Sequence, residues 1–418
     1  MTRTERQQEA IKYWIKAKGK GTIEGCTGVG KTRIGLMTIK ALLKKYPQFR
    51  VLVVVPTVAL KEQWQVQLDD WGFTFNSEVQ VINTVIKHKW NCDLLIIDEC
   101  HRVNSNDFSQ IFSCVQYKLI LGLTATFERL DGKHIIMQKY CPIVDKISFM
   151  EALANGWVSD YKEYVVLIDV DNIDEYKEYN KEWLEHFEFF QFKFELAMSL
   201  IGKDGWKAML KLRDEMYKGN DPEVKKKVLQ NINYHSAGFI RTLTKRKAFI
   251  NNHPKKIEIA KKIIEARSNK KIITFSNNVK MAEAIRIGDV YTGRVSKKRS
   301  STIIEDFSRE SKGVLNTVKR ADEGIDIPGL SVAIILGTDS SETKARQRRG
   351  RIVRKEGNKI AEVFYIVIKD TIEEKWVKNS HKTDGNFITI DEKGLEQVLR
   401  GEQPEIYKKK TTEFMFRF

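Results

Sequence analysis

A glycine-rich run near the start of the chain has the residue types and the spacing of a phosphate-binding loop. Residues 25–32 read Gly-Cys-Thr-Gly-Val-Gly-Lys-Thr, which matches G-x-x-x-x-G-K-S/T between an apolar stretch and a helical one. Glycines let backbone N–H groups turn inward towards phosphate oxygens, and the N-terminus of the next helix adds partial positive charge. Lys31 then reaches the β- and γ-phosphates, and Thr32 offers a hydroxyl to Mg²⁺. The predicted nucleotide contacts in this run are Gly25, Thr27, Gly28, Val29, Gly30, Lys31 and Thr32.

Two adjacent carboxylates, Asp98 and Glu99, directly follow the apolar run Leu94–Ile97. If that run is a buried strand, both lie at its carboxyl end, where ligands bind in open α/β sheets. Asp98 is then placed to hold the Mg²⁺ shell, and Glu99 to polarise an attacking water as general base. A solvated acidic turn is the alternative, but it explains poorly why the pair follows a strand of this kind. The pair therefore predicts hydrolysis of the bound triphosphate.

Short apolar runs alternate with helical patterns at both ends of the chain, which indicates parallel sheets covered on both faces. The predicted strands are 21–25, 51–56, 94–98 and 117–124 in the first part, and 271–275, 314–317, 332–337 and 362–368 in the second. Helices are expected after Lys31, Leu60 and Asp107, and again after Pro254. We therefore predict an α/β protein with a first lobe over 1–150, a connector with a helical insertion over 151–253, and a second lobe with a C-terminal extension over 254–418.

The middle of the chain has a different pattern, because aromatic residues recur there every three or four positions. The stripe consists of Tyr176, Tyr179, Trp183, Phe187, Phe190 and Phe194. This spacing places them on one helix face, and core packing is the favoured interpretation over a platform for a ligand. A further helix is expected where Asp221 caps and Pro222 takes the first turn.

A run of arginines lies in the second lobe, where residues 347–354 read Gln-Arg-Arg-Gly-Arg-Ile-Val-Arg. Phosphoryl transfer spreads negative charge over the γ-phosphate oxygens, and a guanidinium group stabilises that charge. The run resembles the arginine-finger motif QxxGRxxR, and this resemblance makes Arg351 and Arg354 the candidates for this role. Because they come from the far lobe, the complete site would exist only when the lobes close. A basic surface helix that binds phosphates nonspecifically is the alternative, and it is the expectation for Arg346, Arg348 and Arg349.

The charge of the chain favours a polyanionic partner. Lys and Arg number 72 against 55 Asp and Glu, a net charge of +17, of which residues 1–150 carry +7, residues 151–250 carry −1 and residues 251–418 carry +11. Two basic bodies joined by a neutral segment suit nucleic acid, although an evenly spread solubility charge is the alternative. No apolar run approaches the ~20 residues of a membrane span. Five cysteines without a C-x-x-C pair indicate a reducing compartment and no zinc site. Cys26 and Cys100 are expected to be small packing residues.

Taken together, these motifs resemble a superfamily-two DExH helicase over nearly the whole chain. Residues 98–101 read Asp-Glu-Cys-His, and the other motifs follow in the order of the family. The resemblance implies two RecA-like lobes, with ATP and Mg²⁺ as cofactors. It assigns nucleotide contacts to Gln7, Gly324, Asp326, Arg351 and Arg354, and catalytic roles to Lys31, Asp98, Glu99, His101, Gln347, Arg351 and Arg354. It assigns metal contacts to Thr32 and Asp98, nucleic-acid contacts to Pro56, Thr57, Thr84, Ser276 and Thr317, and coupling of hydrolysis to lobe movement to Thr124, Ala125 and Thr126. His101 is expected to bridge the nucleotide and the coupling residues.

Within the superfamily, residues 123–132 and 318–328 resemble the branch of XPB-like, restriction-translocase and bacteriophage branch-migration helicases. The chain departs from that pattern at Phe127, where proline is typical. Gln7 almost begins the chain, so no large N-terminal domain is expected, and this compact form is most similar to a phage fork or Holliday-junction helicase.

The resemblance implies an ATP-dependent DNA helicase or translocase that remodels forked or Holliday-type DNA in replication, recombination or repair. An RNA helicase of the same fold and a non-unwinding ATPase that clamps duplex are the alternatives. We expect a monomer that binds no membrane and lies in the cytoplasm, which would be the host's if the protein is encoded by a phage. No nuclease constellation is evident in the sequence.

Overall fold

The computed structural model describes residues 1–101, 110–125, 134–292, 297–318, 327–338, 345, 348–350, 352–353, 360–381 and 387–407. Its first lobe is built on a six-stranded parallel sheet. The strands of this lobe, including a separate two-stranded ladder, are β1 (Lys20–Gly25), β2 (Val51–Val55), β3 (Ser77–Val81), β4 (Trp90–Asn91), β5 (Leu94–Asp98), β6 (Val115–Gln116), β7 (Leu119–Thr124) and β8 (Ile143–Ile147). The order in the main sheet is β3-β2-β5-β7-β1-β8, and β4 pairs with β6.

Helices cover both faces of this sheet, which explains why its central strands are apolar throughout. They are α1 (Arg3–Lys16), α2 (Lys31–Lys45), α3 (Val58–Asp70), α4 (Ile82–Val85), α5 (Ile111–Cys114), α6 (His134–Tyr140) and α7 (Phe149–Ala154). In β2, Val51, Val53 and Val55 face one apolar core, whereas Leu52 and Val54 face another. A strand that is buried on both faces needs an apolar residue at every position.

The helical insertion consists of α8 (Ile173–Phe189), α9 (Phe194–Ser199), α10 (Gly205–Met216) and α11 (Pro222–Asn252). The predicted start of α11 is confirmed, because the Asp221 side chain accepts hydrogen bonds from the backbone N–H groups of Glu223 and Val224. The insertion has its own core, which includes Phe187, Phe190 and Phe239.

The aromatic stripe is confirmed as core packing at Tyr176, Phe187 and Phe190, which are buried. The prediction was wrong for Phe194, which lies in α9 and not on the same helix. The helix ends because Gln191 and Phe192 have φ of 51° and 56°, in the left-handed region that does not continue a right-handed helix.

The second lobe is built on a seven-stranded sheet with the order β11-β12-β10-β13-β14-β9-β15, in which every pair of neighbouring strands is parallel. Its strands are β9 (Tyr161–Ile168), β10 (Lys271–Ser276), β11 (Asp289–Tyr291), β12 (Gly313–Val318), β13 (Val332–Ile335), β14 (Ala361–Ile368) and β15 (Ile388–Ile390). Its helices include α12 (Pro254–Ala266), α13 (Val279–Ala284), α14 (Lys297–Arg309), α15 (Ile372–Ser380) and α16 (Glu392–Leu399). The predicted fold class of two parallel-sheet α/β lobes with a helical insertion is confirmed.

One strand of the second sheet comes from a part of the chain that precedes the insertion. β9 pairs along its whole length with β14, from Tyr161 opposite Ala361 to Ile168 opposite Ile368. The connector predicted over 151–253 therefore contains a strand of the second lobe that the sequence pattern did not predict. Along the chain, the helical insertion therefore lies between β9 and the other strands of the second lobe.

A continuous apolar core joins the two lobes. It includes Ile23 and Leu121 of the first sheet, Val363 of the second, and Val158 and Ile352 at the contact between them. In the described part of the chain, none of the helices has the length and apolar character needed to cross a membrane.

Candidate functional site

The glycine-rich loop joins the end of β1 to the start of α2, as its pattern predicts. Gly28 and Gly30 have φ of 97° and 83°, which are conformations that side chains with a Cβ rarely adopt. Gly30 is the N-cap of α2, so the helix begins at Lys31. The loop thus places the N–H groups of the first helical turn at the carboxyl edge of the sheet, where they favour an anion.

Lys31 is held over this loop by a hydrogen bond from its Nζ to the Gly25 carbonyl oxygen, at 3.1 Å. Thr32 follows in the first turn and is half-buried. An ammonium group, a hydroxyl and free helical N–H groups are the donor set that a triphosphate with a divalent cation requires.

Gln7 of α1 lies against the same loop and is buried. Its Nε2 donates to the Val29 carbonyl oxygen at 2.7 Å, and this bond fixes the orientation of the amide. Its Oε1 is buried without a hydrogen-bond partner in the part of the chain that the structure describes. A buried acceptor without a partner is costly unless a ligand supplies the donor, and an exocyclic amine of a purine is such a donor.

The two predicted carboxylates lie at the carboxyl end of β5. Asp98 is buried, and its Oδ2 accepts a hydrogen bond from Trp64 Nε1 at 2.8 Å. Burial, followed by the negative charge of Glu99, raises the pKa of Asp98 to about 6. A buried carboxylate of this kind is stabilised by a cation, so the donor set fits Mg²⁺.

Glu99 and His101 turn back towards the neighbouring strand. Glu99 has a φ of 49°, in the left-handed region, and its Oε2 lies 3.3 Å from His101 Nδ1. The same ring nitrogen is hydrogen-bonded to Thr124 Oγ1 at 3.0 Å. Ala125 directly follows and is buried. The structure therefore places His101 between Glu99, the predicted general base, and the predicted coupling segment.

The second lobe contacts this site through the segment that contains the arginines. A Cβ added at Gly350 would lie 2.1 Å from Thr27 Cβ, so only glycine permits this close approach to the phosphate loop. The backbone N–H of Ser159 donates to the Val353 carbonyl oxygen at 2.6 Å and holds the end of the segment. The arginine segment of one lobe is thus docked directly on the phosphate loop of the other.

Two arginines of this segment do not behave as predicted. Arg348 and Arg349 are only 4% and 2% exposed, so the expectation that they form a basic surface was wrong. Arg348 donates to the Gly337 carbonyl oxygen at 3.0 Å. The reason is that Arg348 packs into the second lobe over the ring of Phe275, whereas Arg349 lies at the seam between Glu163 and Phe149. Both guanidinium groups thus contact buried acceptors of their own chain.

Comparison with known proteins agrees with this geometry. The chain matches the family model described as type III restriction enzyme, res subunit, over residues 1–89 and 73–129. It matches the helicase conserved C-terminal domain over residues 255–356. Together the two models span more than half of the 418 residues. The chain belongs to the superfamily-two helicases. It is an enzyme that couples ATP hydrolysis to the unwinding of nucleic acid.

Relatives of the helicase cover most of its length. The DNA 3′-5′ translocase XPB2 of Sulfurisphaera tokodaii is 29% identical over 87% of this chain and 81% of its own. A viral protein named as a helicase, from Sulfolobus islandicus filamentous virus, is 25% identical over 92% of this chain and 68% of its own. The XPB-like resemblance in the sequence is supported by the first of these.

The fold of the helicase is that of a solved relative. The crystal structure of the Pyrococcus furiosus Hef helicase domain superposes with a TM-score of 0.54, at 20% identity, over 90% of this chain and 97% of its own. At this identity the similarity concerns the fold alone. It confirms the prediction of two RecA-like lobes.

The predicted nucleic-acid contacts of the helicase differ in their accessibility. Thr57 caps α3 through a hydrogen bond that its Oγ1 accepts from Leu60 N at 3.3 Å, and Pro56 beside it is half-buried. Thr84 is exposed at the end of α4. Thr317 and Ser276 are buried, and Thr317 Oγ1 donates to the Thr274 carbonyl oxygen at 2.7 Å. The first-lobe residues thus present accessible groups at the carboxyl edge, whereas both second-lobe hydroxyls are buried and that of Thr317 is bonded within its own lobe.

Several predicted residues lie outside the described part of the helicase. They are Thr126, Gly324, Asp326, Gln347, Arg351 and Arg354, together with the start of the predicted helix after Asp107. Their roles stay predictions from the sequence.

Two cysteines and two residues that were not predicted also lie beside the motifs of the helicase. Cys100 is buried as expected, and burial raises the pKa of its thiol well above the usual value. Cys26 is half-buried, with its Sγ 3.6 Å from the Ser148 carbonyl oxygen. Trp64, which orients Asp98, was not foreseen, and neither was Arg3, whose Nε donates to Val29 O at 3.2 Å. No sequence signal identifies either residue, because their roles depend on packing between distant segments.

Proposed function

We propose that this protein is an ATP-dependent DNA helicase or translocase whose hydrolysis is controlled by the closure of its two lobes. The observation that carries the proposal is the direct contact between Gly350 in the arginine segment and Thr27 in the phosphate loop. Because the two sit on different lobes, a triphosphate on the loop lies at a seam that opens and closes.

In this proposal the first lobe binds ATP through Gln7 and the phosphate loop. The orphaned Oε1 of Gln7 accepts a hydrogen bond from the adenine amine, while Lys31 and the helix N-terminus bind the phosphates. Thr32 and Asp98 would hold Mg²⁺, which when bound neutralises charge on the phosphate oxygens.

Hydrolysis in this proposal depends on Glu99 as general base for the attacking water. His101 lies 3.3 Å from Glu99 Oε2 and is hydrogen-bonded to Thr124 Oγ1, so in this proposal it links the state of that carboxylate to the coupling residues that begin at Thr124. Arg351 and Arg354 supply the positive charge from the far lobe, and Gln347 adds a neutral polar group from the same segment. Arginines in this role contribute roughly 10³–10⁵ in rate in related enzymes.

The substrate that we propose is DNA. The net charge of +17 suits a polyanion, and the Sulfurisphaera tokodaii relative is named a DNA 3′-5′ translocase, so we propose movement from 3′ to 5′. The strand would contact Pro56, Thr57 and Thr84 on the first lobe, and the segments around Ser276 and Thr317 on the second. A protein of a filamentous virus that is named as a helicase is among the relatives, so we propose a viral origin. We also propose action on forked or Holliday-type DNA during replication, recombination or repair in the host cytoplasm, on the motifs at residues 123–132 and 318–328.

ATP turnover by the full chain with no polymer, with a DNA fork and with a matched RNA fork tests the proposal. We expect the DNA fork to stimulate turnover most, and stimulation by the RNA fork alone would favour the RNA helicase. Lys31→Ala should abolish turnover. Glu99→Gln should bind ATP but lower kcat by roughly 10²–10⁴. Turnover that is indifferent to both polymers would contradict the proposal.

A strand-displacement assay separates unwinding from clamping. Forks with a single-stranded tail of either polarity and a mobile four-way junction are compared, each with ATP and with a non-hydrolysable analogue. Displacement that requires hydrolysis supports the helicase. Stimulated turnover without displacement of any strand would indicate an ATPase that clamps duplex.

A further inference from the structure

We propose that a buried ionic cluster of Glu163, Arg349 and His381 positions the arginine segment of the second lobe against the phosphate loop and thereby sets the rate of ATP hydrolysis. Glu163 lies in β9, Arg349 lies in the arginine segment, and His381 directly follows α15. They are positioning residues in this inference, which rests on the ATPase activity of the proposed function.

The carboxylate of Glu163 is bound on both of its oxygens. Oε1 accepts a hydrogen bond from His381 Nε2 at 2.9 Å, and Oε2 lies 3.4 Å from Arg349 Nη1. The side chains of Glu163 and His381 are fully buried, and that of Arg349 is 2% exposed. Burial alone would raise the pKa of Glu163, but the bond from His381 and the charge of Arg349 lower it below its usual value. The cluster therefore holds an ionised pair out of water.

The guanidinium of Arg349 also contacts aromatic rings from both sides of the seam. Phe149 in α7 of the first lobe lies 5.1 Å from it, and Tyr161 in β9 lies 5.8 Å from it. The two rings meet edge to face, with centroids 5.4 Å apart. A cation over two aromatic faces is favourable for both contacts. Arg349 thus binds the first lobe through Phe149 while it is ionically bound to the second through Glu163.

The residues that directly precede the strand of Glu163 contact the phosphate loop and the arginine segment. A Cβ added at Gly28 would lie 3.0 Å from Val158 Cγ1, and Ser159 N donates to Val353 O at 2.6 Å. Residues 158–163 therefore contact the loop through Val158 and the arginine segment through Ser159 and Glu163. Arg351 and Arg354 follow Arg349 within two and five positions, so a shift of Arg349 moves the segment that leads to them.

A cluster that served stability alone would need no charge, because apolar residues of similar volume stabilise a buried site as well or better. The charges restrict the geometry, since a displaced Arg349 would leave Glu163 buried without its cation. The cluster therefore favours the docked position of the segment over intermediate ones. A precisely docked segment matters because the second lobe supplies the last groups of the proposed catalytic site.

The variants Glu163→Gln, Arg349→Met and their combination test the inference in the full chain with saturating DNA. We expect each single variant to lower kcat at least about tenfold, while the affinity for a fluorescent ATP analogue changes by less than about twofold. The double variant removes both charges and should recover part of kcat, since the two effects are not additive for residues in contact. If Glu163→Gln does not fold, Glu163→Asp keeps the charge on a shorter side chain, and kcat should again fall without loss of binding.

Glu362→Gln is the matched control. Glu362 lies at the start of β14, and its oxygens accept from Arg267 Nε and Nη2 at 2.8 and 2.9 Å. This largely buried pair, with side chains 12% and 10% exposed, belongs to the same lobe but does not touch the seam, so its loss should lower Tm and leave kcat unchanged. Wild-type turnover is measured first, and its absence would overturn the proposed function and this inference together. Normal wild-type turnover, with kcat unchanged in the Glu163 and Arg349 variants or lowered equally in the control, would overturn the positioning role alone.

Discussion

At the scale of single residues, the site combines groups that a sequence motif identifies with groups that only the fold brings near. Lys31, Asp98 and Glu99 occupy the positions that their motifs predict, because a motif fixes the local turn as well as the residue type. The left-handed conformation of Glu99 is of the kind that costs about 1–3 kcal/mol and persists where the surrounding structure requires it. Trp64 and Glu163 could not be predicted, because each contacts the site from a segment far away in the chain.

Gln7 provides a prediction at this scale. Gln7→Ala removes the acceptor that we assign to the adenine amine, so KM for ATP should rise about tenfold, as expected for one or two hydrogen bonds. KM for GTP should change little, because guanine presents a carbonyl oxygen at that position. Steady-state kinetics with both nucleotides checks this outcome.

Arg3→Ala is the control for this experiment. Arg3 donates to the same Val29 carbonyl oxygen as Gln7, at 3.2 Å, but its guanidinium offers no acceptor to a base. Its loss should affect both nucleotides equally. An equal effect of Gln7→Ala on ATP and GTP would show that Gln7 only supports the loop.

At the scale of secondary structure, the apolar pattern predicts strands that are buried on both faces and misses those that are less apolar or isolated. β5 was predicted with its observed bounds, since all five of its residues are buried. β9 was missed because its first half, Tyr161–Tyr164, contains a lysine and a glutamate. Its pairing with β14 joins segments about two hundred residues apart, and no local pattern encodes such a contact.

The two long helices of the insertion carry charges of opposite sign. From Val224 to Asn252, α11 contains no acidic residue, whereas α8 carries Asp174, Glu175, Glu178, Glu182, Glu185 and Glu188. On α11, Lys227, Asn231 and the 63% exposed Tyr234 lie on one face at helical spacing. Cations beside an exposed ring are the groups that bind a nucleic-acid strand. The net charge of −1 over residues 151–250 conceals this division.

Replacing Lys225, Lys226 and Lys227 by Gln should therefore weaken DNA binding. The slope of log K against log salt should fall by roughly 1–3, because each phosphate contact contributes about 0.9. The maximal ATPase rate at saturating DNA should persist. Glutamine at the exposed Lys177, Lys181 and Lys193 removes the same charge from the acidic side, and an equal effect there would show that only net charge matters.

A histidine pair gives the insertion a predictable pH dependence. His186 Nδ1 and His235 Nδ1 are 3.2 Å apart, and Phe189 stacks on His235 with ring centroids 4.1 Å apart. Burial is the main cause that lowers the pKa of both rings. For His186, Glu182 opposes this shift and Arg241 adds to it, and His186 lowers the pKa of His235 further. The unfolded insertion thus binds more protons than the folded one. The free energy that stabilises the packing of α8 on α11 should therefore decrease as pH drops below about 6.5.

Hydrogen exchange in α8 and α11, corrected for the intrinsic rate, measures this effect between about pH 7.5 and pH 5. Protection should decrease towards low pH while the two sheets keep theirs. His235→Phe preserves a ring against Phe189 and removes one titrating group, so its protection should depend less on pH. An unchanged pH dependence in that variant would assign the effect to other groups.

At the scale of the whole molecule, two lobes share one apolar core at the seam where the phosphate loop meets the arginine segment. The sequence predicted both lobes and the need for closure, because the nucleotide motifs fall on both sides of the insertion. It did not predict that Arg348 would be buried within the second lobe and Arg349 at this contact. A run of cations in a sequence does not show which of them point into a seam between lobes.

Gly350 tests closure directly. A methyl group at this position would lie 2.1 Å from Thr27 Cβ, so Gly350→Ala must push the arginine segment away from the loop. ATP binds to groups of the first lobe and its affinity should change by less than about twofold, whereas kcat should fall by about 10²-fold or more, as expected when a catalytic group is displaced by about 1 Å. A fluorescence distance between labels on the two lobes should remain long when ATP and DNA are both bound. Gly202→Ala is the control, since the nearest atom to its added Cβ is 3.8 Å away and no strain is expected. A Gly350→Ala protein that closes and turns over like the wild type would show that the docked contact is not part of the catalytic cycle.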